Sequence, residues 1–155
     1  MKLASALTAT AAALSLAACA TMDDTVYDND PVATEPAPSR LTAQLTGAAE
    51  APGPGDADGY GSFQATLTPN AGQLCYELDV TGVEMPTAAH IHTGAAGVAG
   101  GVAVALETPA DGDSDGCVTM DASLANAINA NPGGYYVNVH NAAYPNGAIR
   151  GQLTR

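Results

Sequence analysis

The chain has no tryptophan, one phenylalanine and only four basic residues among 155. Without large aromatics, a core must be assembled from Val, Leu, Ile, Ala and the six tyrosines. Four Lys and Arg against 16 acids give a net charge of −12. Such a chain repels phosphate backbones, which excludes nucleic acid as a partner. Cysteine is also scarce, with three residues at positions 19, 75 and 117. No two are spaced as Cys-x-x-Cys, so a dithiol redox relay is not expected. The chain shows no convincing Ser/His/Asp order and no paired-carboxylate signature. Its glycine-rich stretch, Gly94–Gly101, carries no lysine and so does not read as a phosphate cradle.

The amino-terminal end reads as an address. Lys2 is followed by a short Ala/Leu-rich run, Leu3–Leu14, too short to span a bilayer as a mature helix. Leu16-Ala17-Ala18-Cys19 then resembles the lipobox of a bacterial lipoprotein. That resemblance implies a signal peptide over residues 1–18 and a lipid on Cys19, with the bilayer as a partner. An ordinary secretory signal cut near the same place is the alternative, and it also exports the chain. Ala20 after the cysteine points to an outer-membrane location, facing the periplasm or the surface. Removing Lys2 leaves three basic residues against 16 acids, a net charge of −13. Charge therefore gives no attraction to an anionic membrane, and the lipid would hold the protein there. Residues 20–40 carry acids and prolines with little to bury, and are expected to form a disordered tether behind Cys19.

Residues 41–155 have the size of one domain. Short strands are expected at Leu41–Thr46, Ser62–Thr68, Gln73–Thr81, Ala88–His92, Val102–Leu106, Cys117–Asp121, Tyr135–His140 and Ala148–Leu153. Pro69-Asn70-Ala71-Gly72 is a hairpin turn. Asp121 caps one short helix, Ala122–Asn131, with Leu124 and Ile128 on one side; Pro132-Gly133-Gly134 ends it. Seven or eight short strands predict an all-β, Ig-like or Greek-key sandwich or barrel with one short helix. Alternation puts Cys75 beside Glu77 and Asp79, opposite Leu74, Tyr76 and Leu78. Cys117 is likewise opposite Val118 and Met120. In an oxidising compartment the pair is expected to form a disulfide if the strands are neighbours.

All three histidines fall in two strand segments, Ala89-His90-Ile91-His92-Thr93 and Tyr136-Val137-Asn138-Val139-His140. Residues i and i+2 of a strand share a face. His90 and His92 thus oppose Ile91, while Asn138 and His140 oppose Val137 and Val139. With the aliphatic residues in the core, the three imidazoles lie on the other face. On neighbouring strands they could converge on one copper or zinc ion, with water or an acid as fourth ligand. The competing expectation is structural: histidines that anchor loops, oriented by Asn138.

Ala88–Gly97 also resembles the central motif of the CHRD domain, named after chordin. So do Tyr136–His140 and the following Pro145-Asn146-Gly147-Ala148-Ile149-Arg150-Gly151-Gln152-Leu153. The resemblance covers essentially all of 41–155 and implies a β-sandwich. The family is in turn similar to the barrel of copper/zinc superoxide dismutase, and Val80-Thr81-Gly82-Val83 with His90-Ile91-His92 resembles that enzyme's His-x-His copper pair. A bridged dinuclear site needs more histidines than the three present, so dismutase chemistry is not expected. The resemblance therefore informs fold far better than function.

Arg150 is expected to form a salt bridge to Glu77, Asp79 or another strand acid, or to pack its stem; clamping a carboxylate ligand is the alternative. Asp111–Gly116 resembles half of a calcium loop, but Ala122 stands where the twelfth-position Glu belongs, so a solvated acidic turn is expected. The resulting expectation is a membrane-anchored, non-enzymatic envelope module that binds a protein or polysaccharide, with a mononuclear site on His90, His92 and His140. The alternative is a copper- or zinc-binding protein of envelope metal handling. A metal-dependent redox enzyme is a third and weaker reading.

Overall fold

The computed structural model describes residues 36–155. The expected signal segment, Cys19 and the tether up to residue 35 lie outside the described residues. The end of that tether, Ser39 and Arg40, belongs instead to the first strand.

Eight antiparallel strands form one nearly closed sheet. In chain order they are β1 (Ser39–Thr46), β2 (Tyr60–Thr68), β3 (Gln73–Thr81), β4 (Pro86–Thr93), β5 (Val102–Leu106), β6 (Asp113–Thr119), β7 (Tyr135–Asn141) and β8 (Ile149–Gln152). The spatial order is β5-β4-β7-β8-β1-β2-β3-β6. Helix α1 (Ala122–Ala130) joins β6 to β7. The ladder is open only between β5 and β6. There the Tyr76 hydroxyl accepts from the Glu107 amide at 2.8 Å, and the Ser114 hydroxyl donates to the Glu107 carbonyl at 3.0 Å.

Alternation explains the core. Leu41, Ala43 and Leu45 of β1, Phe63, Ala65 and Leu67 of β2, and Leu74, Tyr76 and Leu78 of β3 are all buried, while the residues alternating with them are more exposed. Phe63 stacks on Tyr76 at 5.8 Å between centroids. Ile91, Val137, Val139 and Ile149 extend the same interior. Truncating any of these leucines or isoleucines to alanine costs about 2–5 kcal/mol through lost burial and a residual cavity. The α1 cap is as expected: the Asp121 carboxylate accepts from the Ser123 amide at 2.7 Å. Hydrogen bonding from the Ser123 side chain first, and from its amide second, holds the Asp121 carboxyl below its usual range. Ala125 and Ile128 are buried against the sheet, with Leu124 packed at its margin.

Cys75 lies directly opposite Cys117, with Cα atoms 4.0 Å apart, and the two form a disulfide. The strand that carries Cys117 differs from expectation. It starts at Asp113 and ends at Thr119, so four of the six residues of the supposed acidic turn, Asp113–Gly116, are ladder. Asp113 pairs with Asp79 and Asp115 with Glu77. These like-charge pairs oppose pairing. Ladder hydrogen bonds, the disulfide and the half-buried Val118 hold the strand in place. Acids along an edge strand also discourage edge-to-edge association with another chain.

Candidate metal centre

Neighbouring strands β4 and β7 bring the histidine segments together. Their register pairs Ala88 with His140, Ala89 with Val139, His90 with Asn138, Ile91 with Val137 and His92 with Tyr136. Ala89, Ile91, Val137 and Val139 face the core. His90, His92, Tyr136, Asn138 and His140 take the opposite face, as alternation predicts. Ala88 is small, which leaves room beside its partner His140 for the imidazole of His90.

One ring nitrogen from each histidine lies within 4.8 Å of the others. Nδ1 of His90 is 3.3 Å from Nε2 of His140. This contact is a hydrogen bond in which His90 Nδ1 donates to His140 Nε2. Its length matches the spacing of about 3.3 Å between nitrogens held tetrahedrally at about 2 Å from one ion, so a metal here would replace the shared proton. A ring shift of about 1.5 Å brings the widest pair to the same separation.

The tautomers follow from the partners. Nδ1 of His92 lies 3.0 Å from the Gly100 carbonyl oxygen, and Nδ1 of His140 lies 3.1 Å from that of Pro145. A carbonyl only accepts, so each Nδ1 carries the proton and each Nε2 presents a lone pair. Nε2 of His92 is buried and, among the described residues, has no hydrogen-bond partner. Leaving such an atom unpaired costs about 1–3 kcal/mol. Burial, reinforced by the charge of His92, holds the His90 imidazole below its ordinary range. Burial does the same to His140, against the opposing pull of the Pro145 carbonyl. Neutral rings are the form in which imidazole ligates metal.

Two loops build this face. Gly94–Gly101 supplies the Gly100 carbonyl. The amide of Gly100 donates to the Tyr136 hydroxyl at 3.2 Å, and the Tyr136 ring stacks on His92 at 5.0 Å with planes 9° apart. A side chain at position 100 would collide with the Thr93 carbonyl, so the loop can approach β4 this closely only at a glycine. The β7–β8 turn supplies the Pro145 carbonyl and contains Gly147 at φ +143°, against which Glu50 and Asn138 pack.

The profile of the CHRD domain matches residues 41–153. The chain belongs to the CHRD domain family. No curated protein and no solved structure matches it. The family thus accounts for nearly the whole described domain, and the residues that CHRD resemblance singled out, His90, His92, Tyr136, His140 and Arg150, meet on one face of β4, β7 and β8.

Of the two structural roles expected for Arg150, packing is the one observed: its side chain is buried against the Tyr136 ring, and among the described residues it forms no salt bridge to Glu77, Asp79 or another acid. It is 1% exposed and donates to the carbonyls of Val98 at 3.0 Å and Ala95 at 2.8 Å. Glu77 and Asp79 sit on β3, several strands away in the sheet, whereas the Ala95–Val98 turn folds over β8. Asn138 does not orient a histidine. Its amide donates to the Glu50 carboxylate and, at 3.3 Å, to the Ile149 carbonyl. Glu50 itself carried no signal in the sequence. It follows a short 3₁₀ turn, Gly47–Ala49, and burial raises its carboxyl to about 7, against the lowering pull of Arg150 and of bonds from Ala51 and Asn138. An open cleft of about 340 Å³ over the disulfide, among Arg40, Gln64, Glu77 and Asp115, shares no residue with the histidine cluster.

Proposed function

We propose that this CHRD domain is a non-enzymatic metal-binding module of the bacterial cell envelope. It holds one copper or zinc ion on Nδ1 of His90 and Nε2 of His92 and His140. It is tethered to the membrane by a lipid on Cys19. The observation that carries the reading is the division of labour within the rings. Two Nδ1 atoms are spent on backbone carbonyls, and the opposite nitrogens are left as lone pairs, one of them buried without a partner. Histidine ligands are held in this way, with the far nitrogen bonded to a fixed acceptor. The candidate ligands are neutral imidazoles without a thiolate, which suits Cu(II) or Zn(II) with water in the open position.

A second reading makes the histidines structural pins of a surface that binds an envelope protein or polysaccharide. The same two carbonyl bonds favour it, because they fasten both loops. It leaves the lone pair of His92 without a purpose. Calorimetric titration of the protein and its His92→Ala variant with Cu(II) and Zn(II) separates the two. The metal reading expects one ion bound more tightly than about micromolar, and a loss of at least about 100-fold in the variant. Absence of binding, with the variant merely less stable, would refute it.

A further inference from the structure

The site has a support that extends two strands away from the histidines. Three flat groups stack across β4, β7 and β8: the His92 imidazole, the Tyr136 phenol and the Arg150 guanidinium. The His92 and Tyr136 centroids are 5.0 Å apart, and Cζ of Arg150 is 3.4 Å from the Tyr136 centroid. Tyr136 of β7 lies between β4, where it pairs with His92, and β8, where it pairs with Gln152 and Arg150 stands two residues earlier, so the imidazole and the guanidinium reach its ring from the two flanking strands. From that position Arg150 grips the turn at Ala95 and Val98 through two carbonyls and also donates to the Gln152 side chain at 3.3 Å. Gln152 in turn donates to the Gly94 carbonyl at 2.7 Å. The loop is therefore held at Gly94, Ala95 and Val98. Gly100 follows two residues later and supplies the carbonyl to which His92 donates.

We propose that Arg150 is a positioning residue of the histidine site. By fixing both the Tyr136 ring and the Gly94–Gly101 loop, it holds His92 in one ring plane and one tautomer, with Nε2 free. The inference rests on the metal reading for its purpose, though not for its geometry. Burying a guanidinium that bonds no carboxylate directly, with Glu50 acting on it only through space, is costly, and an apolar side chain of similar volume would fill the space at lower cost. What only the arginine supplies is a planar fork that meets two carbonyls while stacking on an aromatic ring. Lysine keeps the charge but neither the fork nor the stack.

The test compares Arg150→Lys, Tyr136→Phe and Leu74→Ala. Leu74 is buried in the other half of the barrel, so its truncation lowers stability without touching the loop. In the metal-free protein, ¹⁵N NMR of the imidazoles reads the His92 tautomer. The wild type is expected to show the Nδ1–H form, and Arg150→Lys a mixture. With metal, Arg150→Lys is expected to weaken Cu(II) and Zn(II) binding by about 10–100-fold and to change the Cu(II) hyperfine splitting in EPR. Tyr136→Phe, which keeps the stack and loses the hydroxyl, should give a smaller change in the same direction. Leu74→Ala should leave affinity and spectrum as in the wild type. An Arg150→Lys protein with wild-type tautomer, affinity and spectrum would overturn the proposal. So would equal weakening in Leu74→Ala at the same loss of stability. Failure of the metal reading is distinct, because the wild type would then bind no ion while the tautomer comparison still decides what Arg150 does to His92.

Discussion

At the scale of single residues, the domain's outer face is governed by protonation. His90 and His140 titrate below their ordinary value of 6.5, so the unfolded chain binds more protons than the folded one as pH falls. Their contribution to stability is complete above 6.5 and is lost as pH drops through the folded values. Glu50 works in the opposite sense. Its carboxyl rises from 4.5 to about 7, so the folded form is favoured at low pH and loses stability as pH climbs between those values. Glu50→Gln keeps an acceptor for Asn138 and removes this titration. Denaturant unfolding should show the variant gaining on the wild type at pH 8 relative to pH 5. An equal difference at both pH values would show that Glu50 ionises normally. None of this was legible beforehand, because Glu50 reaches Asn138 across 88 positions of sequence. The histidines were legible, since period-two alternation around Ile91, Val137 and Val139 was enough to assign their face.

At the scale of elements, the strands follow from sequence wherever apolar and polar residues alternate. β3 and β5 have the expected bounds, and β7 differs by one residue. β6 departs most, because its first half, Asp113–Gly116, is two acids, a serine and a glycine, with no apolar residue to mark a face. Its pairing is imposed by β3 and by the disulfide. Replacing Cys75 and Cys117 together with serine is expected to cost about 2–4 kcal/mol, since a bridge closing a loop of 42 residues restricts the unfolded chain. Metal affinity should not change, because the bridge lies on the other half of the sheet; a parallel loss in titration would contradict that separation. The loops are the opposite case. Gly100 and Pro145 act through backbone carbonyls, which leave no residue signature. Gly100→Ala should displace the loop from β4, free the His92 ring and weaken metal binding by about 10-fold or more. Retention of wild-type affinity in that variant would show that the loop does not position His92.

For the molecule as a whole, one sheet divides its labour. The β1-β2-β3-β6 half carries the disulfide, the acidic edge and the Phe63–Tyr76 stack. The β4-β7-β8 part carries the histidines and the two loops that close over them. The proposed lipid anchor, Cys19, precedes the domain, and on that proposal Cys19→Ser is expected to move the protein from the membrane to the soluble fraction of fractionated cells. An unchanged distribution would argue against lipid on Cys19. The central claim, however, concerns the three imidazoles. X-ray absorption spectroscopy of the protein loaded with one equivalent of copper or zinc tests it most directly. The account predicts a first shell containing three imidazole nitrogens at about 2.0–2.1 Å. A shell of oxygens, or one unchanged when His92 is replaced by alanine, would contradict it.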